Sequence, residues 1–527
     1  MRLILLTLGC LLVAAAAAAD STAVWEGRVR LGGVLIDETG DASVMQETFN
    51  LYEGFAVSSL YLRGHSNPRT HLLLDLTDIN LGDRRGRLDF RRTGILNLQS
   101  SYSENRFVFD PAGAVDSRRR NSFTTLTVTP SRWLWISGDY NLQTRTGDRL
   151  PVRPGPTGWL GSQYDSRLHR WRAEVQARAQ SGIGGTVAYD GVRQTDALDE
   201  RREREGHVGS ATVQVPGVLI PRLTHIVRGS IGRSELPSSG LGFDLWTVQY
   251  TGLYDAARWA RLKYRFFASQ VDDESTAMRT DNYLHDVDAT LRWKTAIAML
   301  GYGWEALDDD EAVTTSQTVR GSLSYREPKD RVSARVAYAT RHTDDEESTT
   351  LLQDTEFDRF EASLDGRPAR PVTLGARVAN RTRRMPDIGS EAKGWTATAY
   401  AVARHEPAGA PVTGDLGVDY TWTDDDYDNT VGAEKIVMHA VTGRVNLVVH
   451  QQIDLSASAT WFRAKEDLDI TKSILSFGAG YRFPNGFSAD ARYNVYNYDD
   501  YLVFSRYYTA NVVWVNVGYA FARGSQP

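Results

Sequence analysis

From about residue 24 onward the chain alternates apolar and polar side chains in one segment after another. Trp171, Ala173, Val175, Ala177 and Ala179 interleave with Arg172, Glu174, Gln176 and Arg178. The same alternation runs through Val332 to Tyr338, Val412 to Trp422, Ile453 to Trp461 and Phe487 to Val495. A period of two places one face of a strand in an apolar medium and the other against polar surroundings.

A soluble sandwich also alternates, so three further features decide. The segments run to about 10–13 residues, longer than the usual strand of about five or six. Their apolar faces often end in aromatics, such as Trp25, Trp246, Trp293, Trp304, Tyr420, Trp422 and Tyr519, as the two membrane interfaces favour. The opposite faces carry Arg, Asp, Glu, Thr and Ser rather than a second apolar set. Segments start near residues 24, 54, 70, 84, 94, 121, 132, 167, 183, 206, 221, 243, 258, 282, 296, 316, 331, 356, 371, 394, 412, 435, 452, 473, 486 and 507. The expected fold is all-β: a large transmembrane antiparallel β-barrel of about 26 strands (22–26), with no plug domain.

The connections alternate too. Long ones (270–281, 306–314, 342–355, 382–394, 423–434, 464–472, 497–505) carry a combined formal charge of -19, and short turns lie between them near Lys294, Pro328, Pro368, Pro407, His450 and Asn485. Long loops belong outside and short turns in the periplasm, so both barrel ends are expected in the periplasm. The acidic extracellular loops are expected to display Asp308, Asp309 and Asp310, then Asp344 and Asp345, then Asp424, Asp425 and Asp426. Solvation of loop tips explains these clusters without a ligand. Asp424-x-Asp426-x-Asp428 hints at calcium, but Asn429 and Lys435 stand where an EF-hand needs Gly and Glu.

Composition narrows the class further. Of 527 residues, 41% are hydrophobic and 10% aromatic, with 45 Gly. That is too aromatic for a disordered chain, and after residue 19 no apolar run reaches the ~18 residues of a membrane helix. Residues 1–19 read as a signal peptide: Arg2, the apolar Leu3 to Val13, then an alanine-rich cleavage context. The barrel is expected over 20–527, in the outer membrane of a Gram-negative cell. The single cysteine, Cys10, lies in that leader in a poor lipobox context. The mature chain then excludes disulfides, Cys-ligated metals and covalent haem of its own. A formal charge of -6 gives no electrostatic case for nucleic acid.

Nothing argues for catalysis. The ten histidines form no H-E-x-x-H, and there is no G-x-S-x-G, P-loop or G-x-G-x-x-G. His285 falls among the apolar-face residues Tyr283, Val287 and Leu291 and reads as an interfacial histidine. Arg118-Arg119-Arg120 could bind lipopolysaccharide phosphates or a partner, with a solvated stretch as the plainer reading.

The size of the hole is more informative. Twenty-six strands about 4.8 Å apart, tilted about 40°, give a backbone diameter near 50 Å and a lumen roughly 35 Å wide. An open pore of that width would abolish outer-membrane selectivity, so another polypeptide must fill it or the strand number must be lower. The strand number, the early start of the barrel, Tyr52-Glu53-Gly54-Phe55 and the stretch from Tyr102 to Pro111 (YSENRFVFDP) together resemble the MtrB/PioB family of outer-membrane barrels. The resemblance implies a sheath around a periplasmic decahaem c-type cytochrome, forming a transmembrane electron conduit. It allows an extracellular multihaem cytochrome as a further partner. Haem would sit on the partner, and membrane lipid and lipopolysaccharide would surround the barrel. Some family members carry an N-terminal CxxC that this chain lacks.

Under that reading the inward faces supply partner contacts: Arg170, Arg172, Glu174, Gln176, Arg178, Arg261, Lys263, Arg265, Arg335, Asp415, Asp419, Asp454 and Arg492. The alternative is a passive porin or substrate transporter with fewer strands and inward-folded loops, whose same residues are hydrated lumen groups. A TonB-dependent transporter would need a plug of well over a hundred residues before the first strand.

Overall fold

The computed structural model describes residues 24–40, 53–67, 69–80, 83–108, 116–148, 163–198, 203–217, 220–274, 276, 278–309, 313–329, 331–345, 354–407, 409–429, 432–501 and 507–523. The expected leader at 1–19 and Asp310 lie outside them. The first strands are β1 (Val24–Gly40), β2 (Gly54–Asn67), β3 (Thr70–Thr77), β4 (Asp83–Arg92), β5 (Leu96–Val108) and β6 (Asp116–Ser131). Next come β7 (Leu134–Asp148), β8 (Gln163–Arg178), β9 (Gly184–Asp196), β10 (Arg204–Pro216), β11 (Leu223–Leu236), β12 (Leu241–Ala257) and β13 (Ala260–Asp273). The second half holds β14 (Arg279–Arg292), β15 (Ala296–Asp308), β16 (Val313–Arg326), β17 (Val332–Asp345), β18 (Thr355–Ala369), β19 (Val372–Met385) and β20 (Ser390–His405). The ring ends with β21 (Val412–Asn429), β22 (Gly432–Val449), β23 (Ile453–Glu466), β24 (Ile470–Arg482), β25 (Phe487–Asp500) and β26 (Tyr507–Arg523).

Each strand pairs antiparallel with its sequence neighbours, and β1 pairs with β26 from Trp25↔Arg523 to Gly40↔Tyr508, so the sheet closes. Every expected segment is a strand, starting within five residues of its expected position. The expected loops are much shorter than the alternation suggested, because backbone pairing continues past the apolar stretch. Only residues 430 and 431 separate β21 from β22, and only 467–469 separate β23 from β24. Asp308, Asp344, Asp345, Asp424, Asp425 and Asp426 therefore sit on strand ends rather than in loops; Asp424 pairs with Val437 and Asp426 with Lys435. A neighbouring strand extends alongside, so ladder pairing satisfies those backbone groups while the acidic side chains stay at a solvated edge.

Followed around the ring, the register returns to β1 about 26 residues along the strand, or about one residue per strand. That shear fixes a tilt of about 35° and a backbone diameter of about 48 Å. One face of the wall exposes large apolar side chains, among them Val187, Ile231, Leu300, Leu323, Leu416 and Val517. Only lipid solvates such a face, so it is the outer one and the polar face lines the lumen.

The outer face carries two aromatic levels. Trp133, Trp259, Trp293 and Phe483, all exposed, share a lower level in the short turns. Trp246, Trp304, Trp395, Trp422 and Trp461 share an upper one, nine or ten residues higher along the tilted strands. At about 3.3 Å per residue and this tilt the separation is about 26 Å, the height of an outer-membrane barrel's apolar band.

Just below the upper level a tyrosine repeats on odd strands: Tyr140, Tyr189, Tyr338, Tyr420 and Tyr493. Each reaches diagonally to the residue two places past its cross-strand partner, bonding His169 (2.8 Å), His207 (2.6 Å), Asp358 (2.8 Å), His439 (2.8 Å) and Asn511 (2.7 Å). Tyr264 meets His285 the same way at 2.9 Å, which accounts for a histidine on an apolar face. The phenol tip thus finds a polar partner where the ring leaves hydrocarbon.

Candidate functional site

The lumen wall is the surface on which function must be built. All thirteen residues singled out from the sequence stand on the polar faces of their strands, spread over β8, β13, β17, β21, β23 and β25 rather than gathered at one centre. The structure divides them. Arg172 is tied into the wall by Asp190 (3.0 Å) and Glu174 (2.7 Å). Arg261 holds Asp255 at 2.6 Å, Arg482 holds Asp454 at 2.5 Å, and the Asn446 amide donates to Asp415 at 3.3 Å. By contrast Arg170, Arg178, Arg335 and Arg492 make no ion pair among the described residues. They are the cations left to meet something else.

The densest network spans β13 to β16. Asp286, buried, accepts from Arg265 at 3.1 Å and Arg320 at 2.5 Å, while Asp288 accepts from Arg320 at 2.6 Å and faces Lys263 at 3.6 Å. Arg320 reaches Asp288 across β15, and Gly301 makes the crossing possible. A Cβ there would stand 2.4 Å from Asp288 Oδ1 and 2.6 Å from Arg320 Nε. Sequence reading picked out Arg265 and Lys263 but missed Asp286, Asp288 and Arg320. Continuing the inside–outside parity of β13 onto β14 and β16 would have found them.

Two apolar regions interrupt the polar lining. One is a recess of about 790 Å³ where Phe123, Val192, Val208, Leu236, Phe243 and Leu245 stand beside Arg170, Arg172 and Asp190. The other is a buried cluster at the β1–β26 closure, in which Val34, Tyr508, Ala510 and Val512 are at most 1% exposed. An all-polar lumen was the expectation, and period-two alternation gives no hint of apolar residues on the inner face. Among the described residues no three metal-ligating side chains converge. Asp424, Asp426 and Asp428 stay as a row along one extended strand.

A closed antiparallel ring, an apolar outer belt between two aromatic levels and a charged inner wall define a transmembrane β-barrel of the outer-membrane kind. The solved structures it resembles are of that kind. Against the FrpB iron transporter from Neisseria meningitidis (F3-3 variant) the TM-score is 0.51 at 8% identity, covering 96% of this chain and 82% of that one. Against the outer membrane transporter YddB from Escherichia coli it is 0.50 at 7% identity, covering 94% and 80%. At such identities the likeness is one of fold. No family model and no curated protein matches the sequence.

Proposed function

We propose that this chain is exported by its leader and serves as a non-catalytic outer-membrane sheath, housing a periplasmic multihaem c-type cytochrome and so forming a transmembrane electron conduit. The observation that carries the reading is the closed ring of 26 strands. Barrels of 16–18 strands already hold an aqueous channel, and 22-stranded ones are plugged. A wider ring needs an occupant, and the described residues outside the strands form only short connections. Arg170, Arg178, Arg335 and Arg492, which make no ion pair among the described residues, suit the acidic surface of a hydrophilic partner, and the apolar recess gives it somewhere to pack. The resemblance to the MtrB/PioB family supplies the haem. This chain's own residues would insulate and position the partner; its only cysteine is Cys10 in the leader, so it would attach no haem itself.

Purification from the native membrane in mild detergent, followed by denaturing electrophoresis with haem staining, tests this. The barrel band should stay unstained beside a stained partner. A stable, monodisperse barrel free of haemoprotein would instead support a transporter, the function named for the FrpB and YddB structures.

A further inference from the structure

The outer surface just above the upper aromatic level is divided by charge. From β12 to β22 it is dominated by carboxylates, including Asp244, Asp281, Asp308, Asp358, Asp424 and Asp426. Across β5 to β9 arginines outnumber carboxylates: Arg106, Arg118, Arg120, Arg167 and Arg193 face outward with His169, against Glu104 and Asp165. These five stand three to five residues above the tyrosine level, or about 8–14 Å along the barrel axis, where headgroups begin.

The cross-strand pairs show how the patch is built. Arg106 lies directly opposite Arg118, which sets two arginine side chains next to each other on the outer face. Thr144 stands between Arg120 and Arg167, and His169 lies opposite Arg193. The one buried carboxylate nearby, Glu104, is occupied already: it accepts from the Tyr102 hydroxyl at 2.6 Å and pairs with Arg120 at 3.4 Å. Arg167 and Arg193 are exposed and make no ion pair among the described residues. Arginine forks suit phosphate oxygens better than ammonium groups do.

We propose that this sector, on β5 to β9, binds the phosphates of lipopolysaccharide in the outer leaflet, with Arg118, Arg167 and Arg193 at its centre. The aromatic level sets the depth, and the charge boundary confines the glycolipid to one side of the barrel. This fixes the barrel's lipid neighbour and does not depend on what fills the lumen.

The test uses the full-length barrel, with whatever co-purifies, in phosphatidylcholine nanodiscs doped with lipid A. Lipid A should bind, and the triple variant Arg118→Gln, Arg167→Gln, Arg193→Gln should lose at least about tenfold in affinity, with its heat-modifiable migration intact. The matching triple Lys variant should recover part of the loss. Should the Gln variant lose heat-modifiable migration, the Lys variant and dephosphorylated lipid A decide. The proposal holds if the Lys variant binds lipid A and wild type discriminates against the dephosphorylated form. It fails if dephosphorylated lipid A binds equally, or if a folded Gln variant retains full affinity. Inorganic phosphate alone, up to millimolar, should not displace the lipid; equal displacement would reduce the patch to a general anion site and overturn the lipid assignment.

Discussion

Removing Asp286 puts the lumen network under direct strain. The carboxylate is buried, 3% exposed, and receives charge-assisted hydrogen bonds from Arg265 and Arg320. Each such bond is worth about 1.5–3 kcal/mol, and breaking a wholly buried pair costs about 3–5 kcal/mol. Two facts reduce the loss in Asp286→Ala. Arg320 keeps Asp288 at 2.6 Å, and both guanidinium groups are more than a third exposed, so water recovers part of their solvation. The expected net cost is about 2–3 kcal/mol. Asp419→Ala, on an exposed position of the same lumen wall, should stay within about 0.5 kcal/mol. Urea titration of the barrel folded into phospholipid vesicles, followed by tryptophan fluorescence, measures both. Equal midpoints for the two variants would show that the Asp286 cluster is solvated and that the inner wall is not braced by its ion pairs.

Gly301→Ala should separate Arg320 from Asp288 and cost about 1–3 kcal/mol by crowding, read in the same titration. Val336→Arg places a charge on the lipid face and should cost about 2–4 kcal/mol near the bilayer midplane. The charge reversals Arg170→Glu and Arg335→Glu together should weaken partner retention in pull-downs while leaving the unfolding midpoint in place. Arg172→Glu should instead shift the midpoint, because it sets a third carboxylate beside Glu174 and Asp190. A protease site inserted between Asp345 and Glu346 should be cut on intact cells, and one beside Pro407 protected; the reverse pattern would invert the topology.

Strand starts and inside–outside parity were legible because both follow from side-chain alternation, which a membrane wall enforces residue by residue. Strand ends were not. Above the membrane both faces are wet, so Asp424 to Asp428 read as a loop although β21 continues to Asn429 on backbone pairing alone. Ion-pair partners such as Arg320 and Asp288 depend on register between strands, which the sequence of one strand does not contain. The apolar recess beside Phe123 escaped for a related reason: Val192, Val208 and Leu245 each look like a lapse in one strand's pattern, and only the closed sheet sets them side by side. The recurring tyrosine–histidine diagonal needs that same register before it becomes a level.

In the proposed function an electron-carrying partner fills the lumen. Liposomes enclosing reduced methyl viologen, fitted with the purified complex and given a membrane-impermeant ferric acceptor outside, test it directly. The complex should oxidise the enclosed dye without releasing it, and vesicles carrying the barrel stripped of its partner should leak the dye itself. Dye retained by the stripped barrel, or no oxidation by the complex with both components present, would contradict the account.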